Sequence, residues 1–144
     1  MMVSTKGRYA LRVMVDMAEN QRENGYLPLK EIAERQGISE KYLENILKTL
    51  VKHKLLTGLR GKGGGYRLTR PPEDYTVGDI LRLTEGTLAP VACLWEDAES
   101  CPRRAECRTI PMWEKLNELV GDYLDSVTLA SLMDPPCGKQ AGNR

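Results

Sequence analysis

At 144 residues, with 41% hydrophobic and 28% charged side chains, the chain has the composition of an ordinary soluble protein, long enough for one real core and an appendage. No apolar run approaches the roughly 20 residues that span a bilayer, and the opening MMVSTKGRYALRVM lacks the apolar block of a secretory signal, so a cytoplasmic protein without a membrane anchor is expected. The net charge of +1 conceals a division: residues 1–75 carry 14 Lys/Arg against 9 Asp/Glu, residues 76–144 carry 7 against 11, and residues 36–70 alone carry 8 against 2. A local cluster of that kind fits a nucleic-acid footprint, and equally a solvated positive face.

In chain order, Tyr9, Ala10, Val13, Met14, Met17 and Ala18 recur at three- and four-residue steps, which predicts a helix over residues 4–20. A polar loop over 21–26 leads to a short helix over 30–36, with Pro28 near its first turn. Gly37 breaks that helix and Ser39 can cap the next by accepting from an orphan backbone N–H. The next helix, over 40–54, turns Leu43, Ile46, Leu47, Leu50 and Val51 inward and Lys41, Glu44, Asn45, Lys48 and Lys52 outward. Two strand-like runs, 55–59 and 65–69, then flank a tip holding Arg60, Gly61, Lys62 and further glycines. Short helix, glycine turn, polar-faced helix and glycine-rich basic hairpin together read as a winged helix-turn-helix that binds double-stranded DNA.

Beyond Pro71-Pro72, Thr76 and Asp79 have capping-box character and open a helix through about Thr84. Residues 85–110 have no helical period. Pro111 opens the longest helix, where Trp113, Leu116, Val120, Tyr123 and Val127 step by 3 and 4, and Leu119 and Leu124 widen the seam. So broad an apolar stripe needs cover, and a twofold homodimer is the smallest solution; packing back on the chain's own N-terminal domain is the alternative. The expected fold is mainly α. Its domains are a winged helix-turn-helix over 1–84 with a two-stranded wing, a cysteine-bearing loop over 85–110, a dimerisation helix over 111–133 and a disordered tail over 134–144.

On such a frame, Asn45 can pair bidentately with adenine, Glu44 can accept from cytosine N4, and Lys41 can reach guanine or phosphate. Ser39 and Tyr42 are placed for phosphate oxygens, Lys48 for the same basic face, and Arg60 for an adjacent narrow minor groove. Glu44 can also pair with Lys48 one turn on. No motif offers a nucleophile–base pair or a metal-activated water with a general base, so an enzyme is not expected.

Four cysteines, Cys93, Cys101, Cys107 and Cys137, lie in the second half. In a cytosolic protein they point to metal or redox chemistry rather than disulfides. The spacing Cys93-x7-Cys101-x5-Cys107 is wider than the knuckles of structural zinc. An iron–sulfur cluster, zinc, and free or redox-active thiols all remain open, with Arg103, Arg104 and Arg108 placed to favour thiolates.

The stretches STKGRYALRVMVDMA, LKEIAERQGISEKYLENILKTL, LRGKGGGYRL, TVGDILRLTEG and YLDSVTLASL resemble the IscR family over roughly residues 2–133. Those proteins are dimeric winged-helix transcription regulators, and their relatives include NsrR, a nitric-oxide sensor, and CymR, a cysteine-metabolism repressor. The resemblance implies an iron–sulfur cluster held by Cys93, Cys101 and Cys107, with [2Fe-2S] favoured over [4Fe-4S], whose state alters DNA recognition. It also implies contacts to a palindromic operator from Ser39, Lys41, Tyr42, Glu44 and Asn45 in the major groove, with Arg60 and Gly61 in the wing. Repression is the expected output. A CymR-like repressor without a cluster, controlled by a partner protein or a thiol, is the alternative.

Two departures bear on the cluster. Ile110 occupies the place of the family's ligating histidine, and the first cysteine gap is two residues longer than in IscR. NsrR-like proteins can use an N-terminal aspartate from the partner subunit, and the matching place here is Arg8. The fourth ligand is therefore open, with Cys137, Glu106, Asp97 and a solvent or thiol ligand as candidates. The single histidine, His53, is expected at the surface near the end of the recognition helix.

Overall fold

The computed structural model describes residues 3–133, and the expectations for the tail, Cys137 included, lie outside them. Helix α1, Thr5–Glu19, starts where Ser4 accepts a hydrogen bond from Gly7 N at 3.1 Å. Its apolar stripe of Ala10, Val13, Met14 and Met17 is wholly buried. Helix α2, Leu29–Gln36, stops at Gly37, whose φ of +65° is the left-handed conformation that ends a helix without steric cost in glycine. Helix α3, Glu40–Lys52, is capped by Ser39, which accepts from Tyr42 N at 3.2 Å, and buries Leu43, Ile46, Leu47 and Leu50 completely. At roughly 1.5–3 kcal/mol per buried large aliphatic side chain, those four anchor α3 far more strongly than its helical propensity.

Strands β1, Leu56–Leu59, and β2, Gly65–Leu68, pair antiparallel with Leu56 opposite Leu68. An isolated bridge adds Leu27 to the other side of β2, with Leu27 and Tyr66 exchanging both backbone hydrogen bonds at 2.8 and 2.9 Å. That approach dictates the glycine. A Cβ on Gly65, at φ +143°, would lie 2.1 Å from the Leu27 carbonyl oxygen. Helix α4, Val77–Glu85, begins with the expected capping box of Thr76 and Asp79.

The C-terminal part departs from expectation. Helix α5, Ile110–Ser126, ends well short of 133, and the chain turns back into a short helix α6, Leu129–Leu132. Two β-branched residues, Val127 and Thr128, are extended there: Thr128 bridges Thr76, Val77 N donates to Val127 O and Leu129 N donates to Tyr75 O, both at 2.9 Å. Thr128 caps α6 by accepting from Ser131 N, and Leu129 is fully buried in the N-terminal core. The expected seam is therefore split between two directions. Leu124 and Val127 pack on the chain's own Val77–Leu81–Leu88 cluster, while Met112, Leu116, Leu119 and Tyr123 stay exposed. No helix among the described residues is long and apolar enough to cross a membrane.

Among the described residues, one charged side chain lies in the core. Asp16 is 4% exposed and receives Arg35 through Nε at 2.9 and 3.1 Å and Nη2 at 2.7 Å, with Gln36 Nε2 at 2.8 Å. The hydrogen bond to Asp16 raises the Arg35 pKa further, against the opposing effect of burial. Removing one partner of a buried pair strands the other and typically costs about 3–5 kcal/mol; Arg35 is one-third exposed, which lessens the penalty. Asp16→Ala is expected to lower unfolding stability by about 3 kcal/mol, read as a reduced urea midpoint with an unchanged m-value.

Candidate functional site

The winged helix-turn-helix offers a continuous polar surface made by α3 and the hairpin. Ser39, Lys41, Glu44, Asn45 and Lys48 are exposed along α3, and Arg60, Gly61 and Lys62 are exposed at the wing tip. Among the described residues, Lys41, Lys48, Arg60 and Lys62 take part in no ion pair, and the expected Glu44–Lys48 pair is absent. Their charge is thus unneutralised within the fold. Ser39 spends its lone pair on the Tyr42 N–H, which leaves its hydroxyl proton free to donate outward. Tyr42 is only half-exposed because its ring meets Tyr9 edge-on, with centroids 5.9 Å apart, a contact not foreseen from the sequence. His53 lies exposed at the C-terminal cap of α3, its Nδ1 3.0 Å from the Thr49 carbonyl oxygen.

The wing is built to hold its tip away from the body. Gly61 and Gly63 take φ values of +90° and +77°, and a Cβ on Gly64 would sit 2.1 Å from the Leu59 carbonyl oxygen. Its base is pinned to the end of α3 by the fully buried Tyr75. The Tyr75 hydroxyl donates to Leu55 O at 2.7 Å and accepts from Thr69 N at 3.0 Å, while Thr69 Oγ1 donates to Lys54 O at 2.9 Å. Nothing in its immediate sequence marks Tyr75 for this role; its partners, Leu55 and Thr69, lie at opposite ends of the hairpin.

Cys93, Cys101 and Cys107 lie between α4 and α5. Cys93 is exposed within a 3-10 turn, Ala92–Leu94, whereas Cys101 and Cys107 are half-buried, Cys107 following a second turn, Arg104–Glu106. Cys107 is activated: hydrogen bonds from the Thr109 hydroxyl, 3.5 Å from the sulfur, and from the backbone N–H groups of Thr109 and Ile110 lower its pKa, and the Arg103 charge assists. Arg104 is committed elsewhere, to an ion pair with Glu114. A groove of about 590 Å³ separates the segment after Cys93 from α5, with Arg82, Glu85, Trp95, Asp97, Asn117 and Gly121 along it.

Three soft thiols are donors of the right kind for iron. The arrangement does not complete a site: among the described residues, no three His, Cys, Asp or Glu side chains are gathered as metal ligands. Ile110, at the place of the family histidine, is buried at 9% exposure and starts α5, and neither Asp97 nor Glu106 joins the thiols.

The Rrf2 family model, described as an iron-dependent transcriptional regulator, matches residues 3–135. The chain belongs to the Rrf2 family. The transcriptional regulator IscR of Erwinia tasmaniensis is 37% identical over 134 residues, covering 93% of this chain and 79% of that one. Among solved structures, CymR, the global cysteine regulator of B. subtilis, superposes with a TM-score of 0.72 at 38% identity over 92% of this chain and 95% of its own. IscR of T. potens gives 0.68 at 38% identity over 92% and 85%. The expected kinship and the winged-helix fold hold, and this Rrf2 protein is a DNA-binding transcription regulator rather than an enzyme.

The lowered Cys107 pKa places its thiolate at lower pH than an ordinary thiol. Under reducing, metal-free conditions, Cys107 is expected to be alkylated by iodoacetamide at a lower pH than the thiol of an unstructured cysteine peptide. Mass spectrometry of peptides across a pH series checks this, and Thr109→Val should shift the onset for Cys107 upward.

Proposed function

We propose that this Rrf2 protein is a cytoplasmic homodimer that represses transcription from a palindromic operator and receives its signal at the cysteine loop. The observation that carries the DNA-reading part is the set of unneutralised cations, Lys41, Lys48, Arg60 and Lys62, on two elements pinned together at the base of the wing. Lys41, Glu44 and Asn45 read base edges in the major groove, with Ser39, Tyr42 and Lys48 on the flanking backbone. Arg60 and Lys62 enter the neighbouring minor groove, where Gly61 permits close approach. The exposed row Met112, Leu116, Leu119 and Tyr123 on α5 supports pairing of two copies, because its 4-3-4 spacing lies along one helical face. Residues 1–84 then serve as the DNA-reading head, 85–110 as the sensor and the exposed row of α5 as the dimer-forming surface.

For the signal, an iron–sulfur cluster on Cys93, Cys101 and Cys107, [2Fe-2S] before [4Fe-4S], is supported by the thiol donor set and by the iron dependence in the family description. Such a cluster would supply a redox-labile group at the loop; the chain's own part is to present three thiols, with the Arg103 charge beside Cys107. The second reading, direct thiol chemistry in a cluster-free, CymR-like repressor, is favoured by the activated Cys107 and by ligands that are not gathered.

Two outcomes are expected. Arg60→Ala should weaken operator binding and flatten its salt dependence by about one unit per protomer, measured as log K against log salt; an unchanged slope removes the wing contact. Anaerobic purification should yield coloured protein containing iron and sulfide. Colourless, iron-free protein whose operator binding responds to thiol oxidation would assign the signal to the cysteines alone.

A further inference from the structure

The cationic surface does not end with α3. Arg8 and Arg12, one turn apart on α1, both place their guanidinium carbons against the ring of Tyr9, at 5.8 and 4.9 Å from its centroid. Tyr9 meets Tyr42 edge to face, and Tyr42 stands in the first turn of α3 beside the Ser39 cap. Two guanidinium groups are thus packed around one aromatic stem that leads to the N-terminus of the recognition helix. From Thr5 to Val15, α1 carries Lys6, Arg8 and Arg12 and no acidic residue. Lys6 reaches α3 directly, donating to Thr49 Oγ1 at 3.2 Å.

Neither arginine has an acidic partner among the described residues. Arg12 is held by Gln36, donating from Nε to the side-chain oxygen at 3.1 Å and from Nη2 to the backbone oxygen at 2.6 Å. Arg8 has the ring and solvent. Like charges gathered without a carboxylate repel, and a fold places them so at a surface that meets an anion. Guanidinium, planar and fork-shaped, pairs bidentately with phosphate, and stacking on a tyrosine limits the freedom it loses in doing so.

We propose that Arg8, carried on Tyr9 beside Arg12, is a further DNA-backbone contact: an arginine of α1 that grips a phosphate flanking the groove read by α3. It fixes register and carries no sequence information. The inference rests on the DNA-reading face proposed above and adds α1 to it.

The test uses the full chain and two labelled duplexes, one of mixed sequence and one selected from a random pool by the unsubstituted protein. Affinities are measured by fluorescence anisotropy across a potassium chloride series for Arg8→Ala, Arg8→Lys and Asn45→Ala. Arg8→Ala should lower the slope of log K against log salt by about one unit per protomer, hence about two in a dimer, on both duplexes alike. Arg8→Lys should restore the slope, and Asn45→Ala should weaken only the selected duplex. An unchanged slope for Arg8→Ala overturns the proposal, as does a loss of dimer in sedimentation velocity, which would place Arg8 against the partner subunit. If the unsubstituted protein binds neither duplex, the DNA-reading face itself fails; if it binds and only the Arg8 effect is missing, that face stands and this contact does not.

Discussion

One buried carboxylate governs how the polar face of α3 is presented. Asp16 sits in the middle of α1 with almost no solvent, so its charge is tolerable only while Arg35 and Gln36 from α2 surround it. That requirement fixes where along α1 the second helix must lie, more sharply than apolar contacts, which permit sliding. The consequence propagates outward. Gln36, placed by Asp16, takes both hydrogen bonds of Arg12; Arg12 lies over Tyr9; Tyr9 meets Tyr42 at the start of α3. The turn between α2 and α3 is thereby braced from α1 as well as by the cap at Ser39.

Tyr75 plays the corresponding part for the wing. Its hydroxyl joins the two ends of the hairpin, and its carbonyl oxygen accepts from Leu129 N, where the chain returns after α5. A contiguous route therefore runs from the C-terminal end of α5 through Val127–Leu129 to the residue that holds the wing. A second link joins α4 to α5 through the bidentate Arg82–Asp125 pair at 2.7 and 3.0 Å. Arg82 also borders the groove beside the cysteine segment and feels the charge of Glu96 there. The cysteine segment thus borders the α4–α5 pair at Arg82, and α5 in turn reaches the base of the wing through Val127–Leu129.

The α1–α4 junction closes the circuit. Glu85, at the end of α4, accepts from Ser4 N at 3.1 Å and Ser4 Oγ at 2.6 Å, so the residue that caps α1 also ties it to α4. Gly7 is required for that approach, since a Cβ there would lie 2.3 Å from Glu85 Oε2.

What the sequence determined by itself was everything governed by neighbours along the chain. The caps at Ser39 and Thr76, the break at Gly37 and the strands around Arg60 and Lys62 follow from local backbone chemistry, and the buried face of α3 follows from its period. Tertiary structure alone decided three things. Nothing local marks Asp16 for burial; Arg35 and Gln36 are brought to it from another helix. The late apolar stripe looked like one seam, and folding divided it, because Thr128 offered α6 a cap and Tyr75 offered Leu129 a backbone partner and a buried site. The thiols were legible as soft donors from their spacing, but whether they converge depends on loop closure and on groups distant in sequence, which no local preference encodes.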